Sequence, residues 1–276
     1  MRSDCVNQLM KKNLLYLLCC ALFFSCNSDE YSPNQTFNRR SANNANEKQI
    51  AKLHQKQAGN TIRIAFSGDT QRSYAESADF VDKVNLRNDI DFVILNGDIS
   101  DFGLLAEFNG VFDIYSRLNV PFISVIGNHD LVANGRAVYE KMFGPLNFTF
   151  TYGSVKFVCH DTNGREYNFD KSTPNMNWLK NNLTIGNGVN NLVAISHVSP
   201  FGGDFDPALA QPYQTLFNQT PGLIASLHSH NHAKLETVYQ SGNTGVPFII
   251  TNAIVKRAYT IIEITNGQIN AQEINF

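Results

Sequence analysis

Asp91-Phe92-Val93-Ile94-Leu95-Asn96-Gly97-Asp98-Ile99-Ser100-Asp101 carries the pattern that organises this chain. Residues 92–95 are a short unbroken apolar run, which suits a strand buried on both faces. The run stops at Asn96-Gly97, a turn signal, and then presents Asp98. A polar side chain at the end of a buried strand is held rigidly, as a ligand site requires. The same grammar recurs on both sides. Ile62 to Phe66 ends in Ser67-Gly68-Asp69, and Phe122 to Ile126 ends in Gly127-Asn128-His129-Asp130. Leu192 to Ser196 runs into His197, and Gly222 to Leu227 runs into His228-Ser229-His230-Asn231-His232.

Between these runs the apolar spacing turns helical. Helices are expected near 73–86, 103–118, 133–143 and 175–184, with a short one after the loop that follows His197. Residues 148–152 and 155–159 alternate around Gly153-Ser154 and read as a hairpin. The end of the chain is strand-rich, with strands expected at 236–239, 247–251, 258–264 and 269–274. Asn266-Gly267 is the turn between the last two. The order β-α-β-α-β followed by a more β-rich half implies an α/β fold with mixed sheets. In open α/β sheets the carboxyl edge of the strands is where ligands bind.

Five strand ends therefore offer metal donors: Asp69; Asp98 with Asp101; Asn128 with His129; His197; His230 with His232. Carboxylate and amide oxygens beside imidazoles suit Mn, Fe or Zn. His230 and His232 stand two apart, which in an extended chain puts both on one side. Singly, Asp69, Asp98 and Asn128 are better read as helix caps; with three late histidines, ligands are the better reading. His160 and His228 fit no ligand position. Asp130 suits either a cap or a neighbour that tunes His129, and Trp178, Tyr213 and Phe217 suit core packing.

The ordered blocks Gly68-Asp69-Thr70-Gln71, Gly97-Asp98-Ile99-Ser100-Asp101, Gly127-Asn128-His129-Asp130, His197 and His230-Asn231-His232 resemble the calcineurin-like metallophosphoesterases. The resemblance spans nearly all of residues 61–276. It implies an αββα sandwich of two mixed β-sheets flanked by helices. It also implies that Asp69 and His232 hold a first metal, that Asn128, His197 and His230 hold a second, and that Asp98 bridges them. His129 would be the general acid, oriented by Asp101. Two cations about 3.5–4 Å apart can share and acidify one water, so the expected nucleophile is a metal-bridging hydroxide. Two departures stand out. Gln71 occupies the place of a histidine, its amide oxygen being a weaker donor. Ser229 replaces the glycine usual before His230. Phe102 stands where Ser/Thr protein phosphatases carry an arginine, which argues against that activity.

Composition bounds the rest. The chain has 276 residues, 43% of them hydrophobic, and a formal charge of −2. No basic stripe appears, so a nucleic-acid partner is not suggested. Lys11 and Lys12 precede the apolar run Leu14 to Phe24, then Ser25 and Cys26. That run is too short to span a membrane and reads as a signal segment. Phe23-Phe24-Ser25-Cys26 resembles a lipobox, and Asn27-Ser28-Asp29-Glu30 resembles the acidic export tag of surface lipoproteins. The expected organisation is a signal peptide at 1–25, a flexible tether at 26–60 and the phosphoesterase domain at 61–276. Cys26 would carry lipid and hold the protein on the bacterial outer membrane or cell surface. The expected activity is hydrolysis of phosphomonoesters or phosphodiesters of small molecules. The alternative is a non-catalytic surface lipoprotein that binds metal or ligand on the same scaffold.

Overall fold

Neighbouring apolar runs pair because each hides its alternate side chains in a different layer. In a computed structural model that describes residues 32, 34–241 and 244–276, the strands are β1 (Thr61–Ser67), β2 (Phe92–Asn96), β3 (Phe122–Val125), β4 (Phe148–Tyr152), β5 (Val155–Cys159), β6 (Asn191–Ile195), β7 (Leu223–His228), β8 (Glu236–Ser241), β9 (Thr244–Ile250), β10 (Ala258–Thr265) and β11 (Gln268–Asn275). The helices are α1 (Ala45–Leu53), α2 (Tyr74–Asn85), α3 (Leu105–Tyr115), α4 (Gly135–Met142), α5 (Met176–Asn182) and α6 (Pro207–Gln219). One sheet has the order β11-β10-β1-β2-β3 and the other β4-β5-β6-β7-β9-β8. Both are mixed: β1, β2 and β3 run parallel, as do β5, β6, β7 and β9, while β10 pairs antiparallel with β1 and β11, β4 with β5 and β8 with β9.

The layers follow from the alternation. Ile62, Ile64 and Phe66 of β1 and Phe92 and Ile94 of β2 point between the sheets, where Phe150, Phe157, Val193, Ile195 and Leu227 meet them. Ala65, Val93 and Leu95 point outward to α2, α3 and α4. Leu192 and Ala194 of β6 point to the opposite outer layer, which holds Leu179 of α5 and Tyr213 and Phe217 of α6. The result is helices, sheet, sheet, helices. Phe92 lies edge-on to Phe150, Tyr152 and Phe157 at 5.4–6.0 Å between centroids, a contact that stabilises the sandwich beyond the area buried. The β10–β11 hairpin turns through Asn266 and Gly267, at φ 52° and 76°. That is the left-handed pair a two-residue turn needs.

Three expectations need correction. The segment after His197 forms a 13-residue helix, α6, with Pro212 inside it, rather than a short one. β8 and β9 extend to Ser241 and from Thr244, further than the apolar pattern showed. The expected tether over 26–60 contains α1, and residues 34–276 form one compact unit. Leu53 is fully buried between the sheets. Asn46, also buried, donates its amide to Ser124 O at 2.9 Å and accepts Ser124 N–H at 2.8 Å. It thus serves as a strand partner for the outer edge of β3. His54, just after α1, is exposed and reaches Thr151 O at 2.7 Å. The signal segment 1–25 and Cys26 lie outside the described residues. No described helix is long and apolar enough to cross a membrane.

Candidate metal centre

The carboxyl ends of β1, β2 and β3 from one sheet and of β6 and β7 from the other bring their following residues together. Glycine makes the approach possible. A Cβ on Gly97 would lie 2.4 Å from His197 Nδ1, and one on Gly127 would lie 2.1 Å from Asp98 N. The backbone is bent tightly at the donors themselves. Asp69, Asp98, His230 and His232 have φ of 56°, 52°, 74° and 51°. Each such non-glycine residue costs on the order of 1–3 kcal/mol and persists only where its surroundings fix it. Here Asp69 N–H donates to Gly97 O at 3.0 Å, and Thr70 and Gln71 N–H both donate to Asp98 O at 2.9 Å. His230 N–H donates to Asp69 Oδ2 at 3.1 Å and His129 N–H to Asp98 Oδ1 at 3.0 Å. The expectation that His230 and His232 share a side through an extended chain is therefore corrected: both are left-handed, and they serve different groups.

Asp98, His197 and His230 can each place one donor atom within 4.8 Å of the others, and so can Asp69, Asp98 and His232. Asp98 belongs to both groups. Three buried side-chain atoms here have no partner, Gln71 Oε1, Asn128 Oδ1 and His230 Nδ1, while Asp69 Oδ1 faces His232 Nε2 at 3.0 Å and His197 Nε2 faces Asp98 Oδ2 at 3.2 Å. Unpaired buried donors and acceptors are costly, and three of them beside facing carboxylates and imidazoles fit metal ions. Helix capping does not account for them. The residues at the starts of α2 and α3 are Ser73 and Leu104, and Asn128 makes no side-chain cap bond.

The electrostatics agree. Burial lowers the His197 pKa, but Asp98, 3.2 Å from Nε2, and Asp69 behind it carry it up to about 10. Burial pushes Asp98 up, yet His197 and His129 outweigh it and hold the carboxyl below its usual range. The other ring nitrogen, His197 Nδ1, lies 2.8 Å from Asn96 O, which accepts its proton and turns Nε2 toward Asp98. Ser229 does more than change backbone freedom. Its hydroxyl donates to Asn96 O at 2.6 Å, lies 2.9 Å from His197 Nδ1 and accepts from Asn96 Nδ2 at 3.1 Å.

Asp101 meets His129 as expected, but through its main chain. His129 Nδ1 lies 3.0 Å from the main-chain oxygen of Asp101 and 3.5 Å from its carboxylate. The carboxylate is taken by Arg72, whose Nε donates to Oδ2 at 2.6 Å. His129 faces the other oxygen, Oδ1, at 3.5 Å. Arg72 is 71% exposed and lies over the Phe102 ring, 5.6 Å from its centroid. A guanidinium thus stands beside residue 102 although that residue is phenylalanine. Its position directly after Gln71 was the only sign in the sequence. Asp130 neither caps a helix nor touches His129. Its carboxylate accepts from Ile99, Ser100 and Gly127 N–H and from the Ser100 hydroxyl, at 2.8–3.0 Å.

His160 and His228 lie outside the cluster, both buried. His160 contacts Tyr213 Oη at 2.9 Å, and His228 contacts Ser196 and Ser226 hydroxyls. Burial pushes His160 down to about 4 and His228 well below the usual value. An unfolded histidine ionises near 6.5, so His160 contributes stability in full above that pH and loses it as the pH falls toward 4. About 2 kcal/mol should disappear between pH 7 and pH 5 on this account alone. Urea unfolding of the protein and of His160→Gln at both pH values checks it; equal losses in the two proteins would reject it.

The calcineurin-like phosphoesterase family model matches residues 62–234, more than half of the chain. A search of curated proteins finds no match. Among solved structures, the purple acid phosphatase PPD1 from yellow lupin (Lupinus luteus) seeds superposes with a TM-score of 0.62 at 12% identity, over 80% of this chain and 52% of that one. PhoD gives 0.54 at 10% identity, over 80% and 69%. TT1561 of Thermus thermophilus gives 0.51 at 12% identity, over 77% and 98%. The chain spans about half the length of the lupin phosphatase. At these identities the likeness is one of fold: two mixed sheets flanked by helices.

Proposed function

The chain belongs to the calcineurin-like phosphoesterases, and from that premise we propose that it hydrolyses phosphate esters of small molecules with two metal ions held at the strand ends. The observation that carries this reading is Asp98, common to two Asp/His groups of largely buried donors. Asp69, Gln71 and His232 would hold one ion, Asn128, His197 and His230 the other, with Asp98 shared. Mn, Fe or Zn suits these donors, and such ions supply Lewis-acid charge that acidifies water and neutralises a phosphoryl group.

The chain's own residues do the rest. His129, whose side chain is 40% exposed, is held through Nδ1 by the main chain of Asp101. Its Nε2 is then the atom that gives a proton to the departing oxygen. Arg72, anchored by Asp101, offers its remaining N–H groups to an anionic substrate. A proton donor of this kind contributes about 10²–10⁴-fold. His129→Ala should lower kcat on an aryl phosphate by that factor with metal content preserved. Unchanged turnover would remove His129 from the mechanism.

A second reading, binding without catalysis, draws on Gln71. Its Nε2 lies 3.3 Å from Asp98 Oδ2 and so donates to the shared carboxylate, while Oε1 is left unpaired. Elemental analysis with a phosphomonoester and phosphodiester panel separates the two. Two ions with turnover favour the enzyme, and one ion without turnover favours the binding protein. The Leu14 to Phe24 run and Cys26 support export, with a lipid anchor at Cys26 on the outer membrane or cell surface. Cys26→Ala in the full chain should move the protein from membranes to the soluble fraction, and unchanged fractionation would refute the anchor.

A further inference from the structure

The loop between β6 and α6 holds a carboxylate that the reaction described above does not use. Asp204 Oδ2 lies 3.4 Å from His230 Nε2. Its other oxygen, Oδ1, lies 2.5 Å from Arg165 Nη2, and Arg165 N–H donates to Asp204 O at 3.0 Å. The Asp204 side chain is 10% exposed. The same imidazole has its second nitrogen, Nδ1, buried with no partner. Its ring stands edge-on to His197, 5.2 Å between centroids.

An imidazole can offer one nitrogen to a cation only if the other keeps its proton, and a carboxylate beside that N–H fixes both tautomer and ring orientation. We propose that Asp204, braced by Arg165, is a positioning residue that holds the proton on His230 Nε2 and thereby presents Nδ1 to the metal shared with Asp98 and His197. The proposal rests on the reading of His230 as a ligand. It assigns work to the 198–206 loop, whose sequence offered no metal-site signal. The plain alternative is a surface ion pair between Asp204 and Arg165. Such pairs contribute little to stability, and that role would leave metal binding untouched.

Removal of a carboxylate behind a metal-bound histidine costs typically about 10–100-fold in affinity. Calorimetric titration of metal-free full chain with Mn2+ should show two sites. In Asp204→Asn one site should weaken by about that factor and the other should not change; Asp204→Glu should restore part of the loss. His230→Ala should lose the same site, and adding Asp204→Asn to it should change nothing further. Long-range 1H–15N NMR of the metal-free wild type should show His230 protonated at Nε2 and bare at Nδ1. Wild-type affinity at both sites in Asp204→Asn, or the opposite tautomer in the wild type, overturns the proposal. Two undisturbed sites in His230→Ala would instead refute the ligand reading beneath it.

Discussion

Asp98→Asn is expected to empty both cation positions and reduce turnover of an aryl phosphate by more than about 10³-fold, while the protein stays folded. The asymmetry arises from place, not from charge alone. Asp69 and His232 belong to one donor group and His197 and His230 to the other, but Asp98 belongs to both. Asparagine keeps the shape and can still accept the His129 N–H that Asp98 Oδ1 accepts at 3.0 Å. What it loses is the negative charge that compensates two cations in a buried pocket. The substitution also takes the nearer carboxylate from buried His197, which keeps only Asp69 at 3.9 Å, so the metal-free variant should be less stable than the wild type while still folded. Elemental analysis and kinetics on the same preparation check the result. Retention of two ions with near-normal turnover would end the shared-ligand reading. Asp69→Asn should empty one position only.

Asp130→Ala should have the largest effect on stability, a loss of about 3–5 kcal/mol. Asp130 is fully buried. Oδ1 accepts from Ile99 N–H at 2.9 Å, Ser100 N–H at 2.8 Å and the Ser100 hydroxyl at 3.0 Å, and Oδ2 accepts from Gly127 N–H at 3.0 Å. One carboxylate therefore ties the turn after β2 to the turn after β3. Alanine leaves three main-chain donors in the interior with nothing to bind, each costing about 1–3 kcal/mol. The same two turns carry Asp98, Asn128 and His129, so metal binding should weaken with stability. Urea unfolding of the metal-free proteins measures the first effect; a loss below about 1 kcal/mol would show that water or neighbours satisfy those donors.

The strands were legible because both faces of each sheet are covered, so the core segments of β1, β2, β6 and β7 read as nearly unbroken apolar runs. The donor residues were legible because they stand where those runs stop, and the structure draws Asp69, Asp98, His197, His230 and His232 into one cluster. Contacts between loops were not legible. Asn46 and Ser124 are 78 residues apart, and neither type is distinctive in a polar segment. Arg72 and Asp101 meet only because β1 and β2 are parallel neighbours. Asp204 reaches His230 only because the loop after β6 folds back over the end of β7. These are tertiary facts that no local pattern encodes.

The pairing of Asn46 with Ser124 has a consequence for the limits of the folded unit. β3 is the last strand of its sheet, and an uncovered strand edge is a template for other chains. The stretch 44–53, polar enough to pass for linker, acts as a guard against self-association. A version cut at Thr61 would keep every metal donor yet leave the main-chain N–H and C=O of Ser124 without Asn46, and should pair edge to edge with a second molecule.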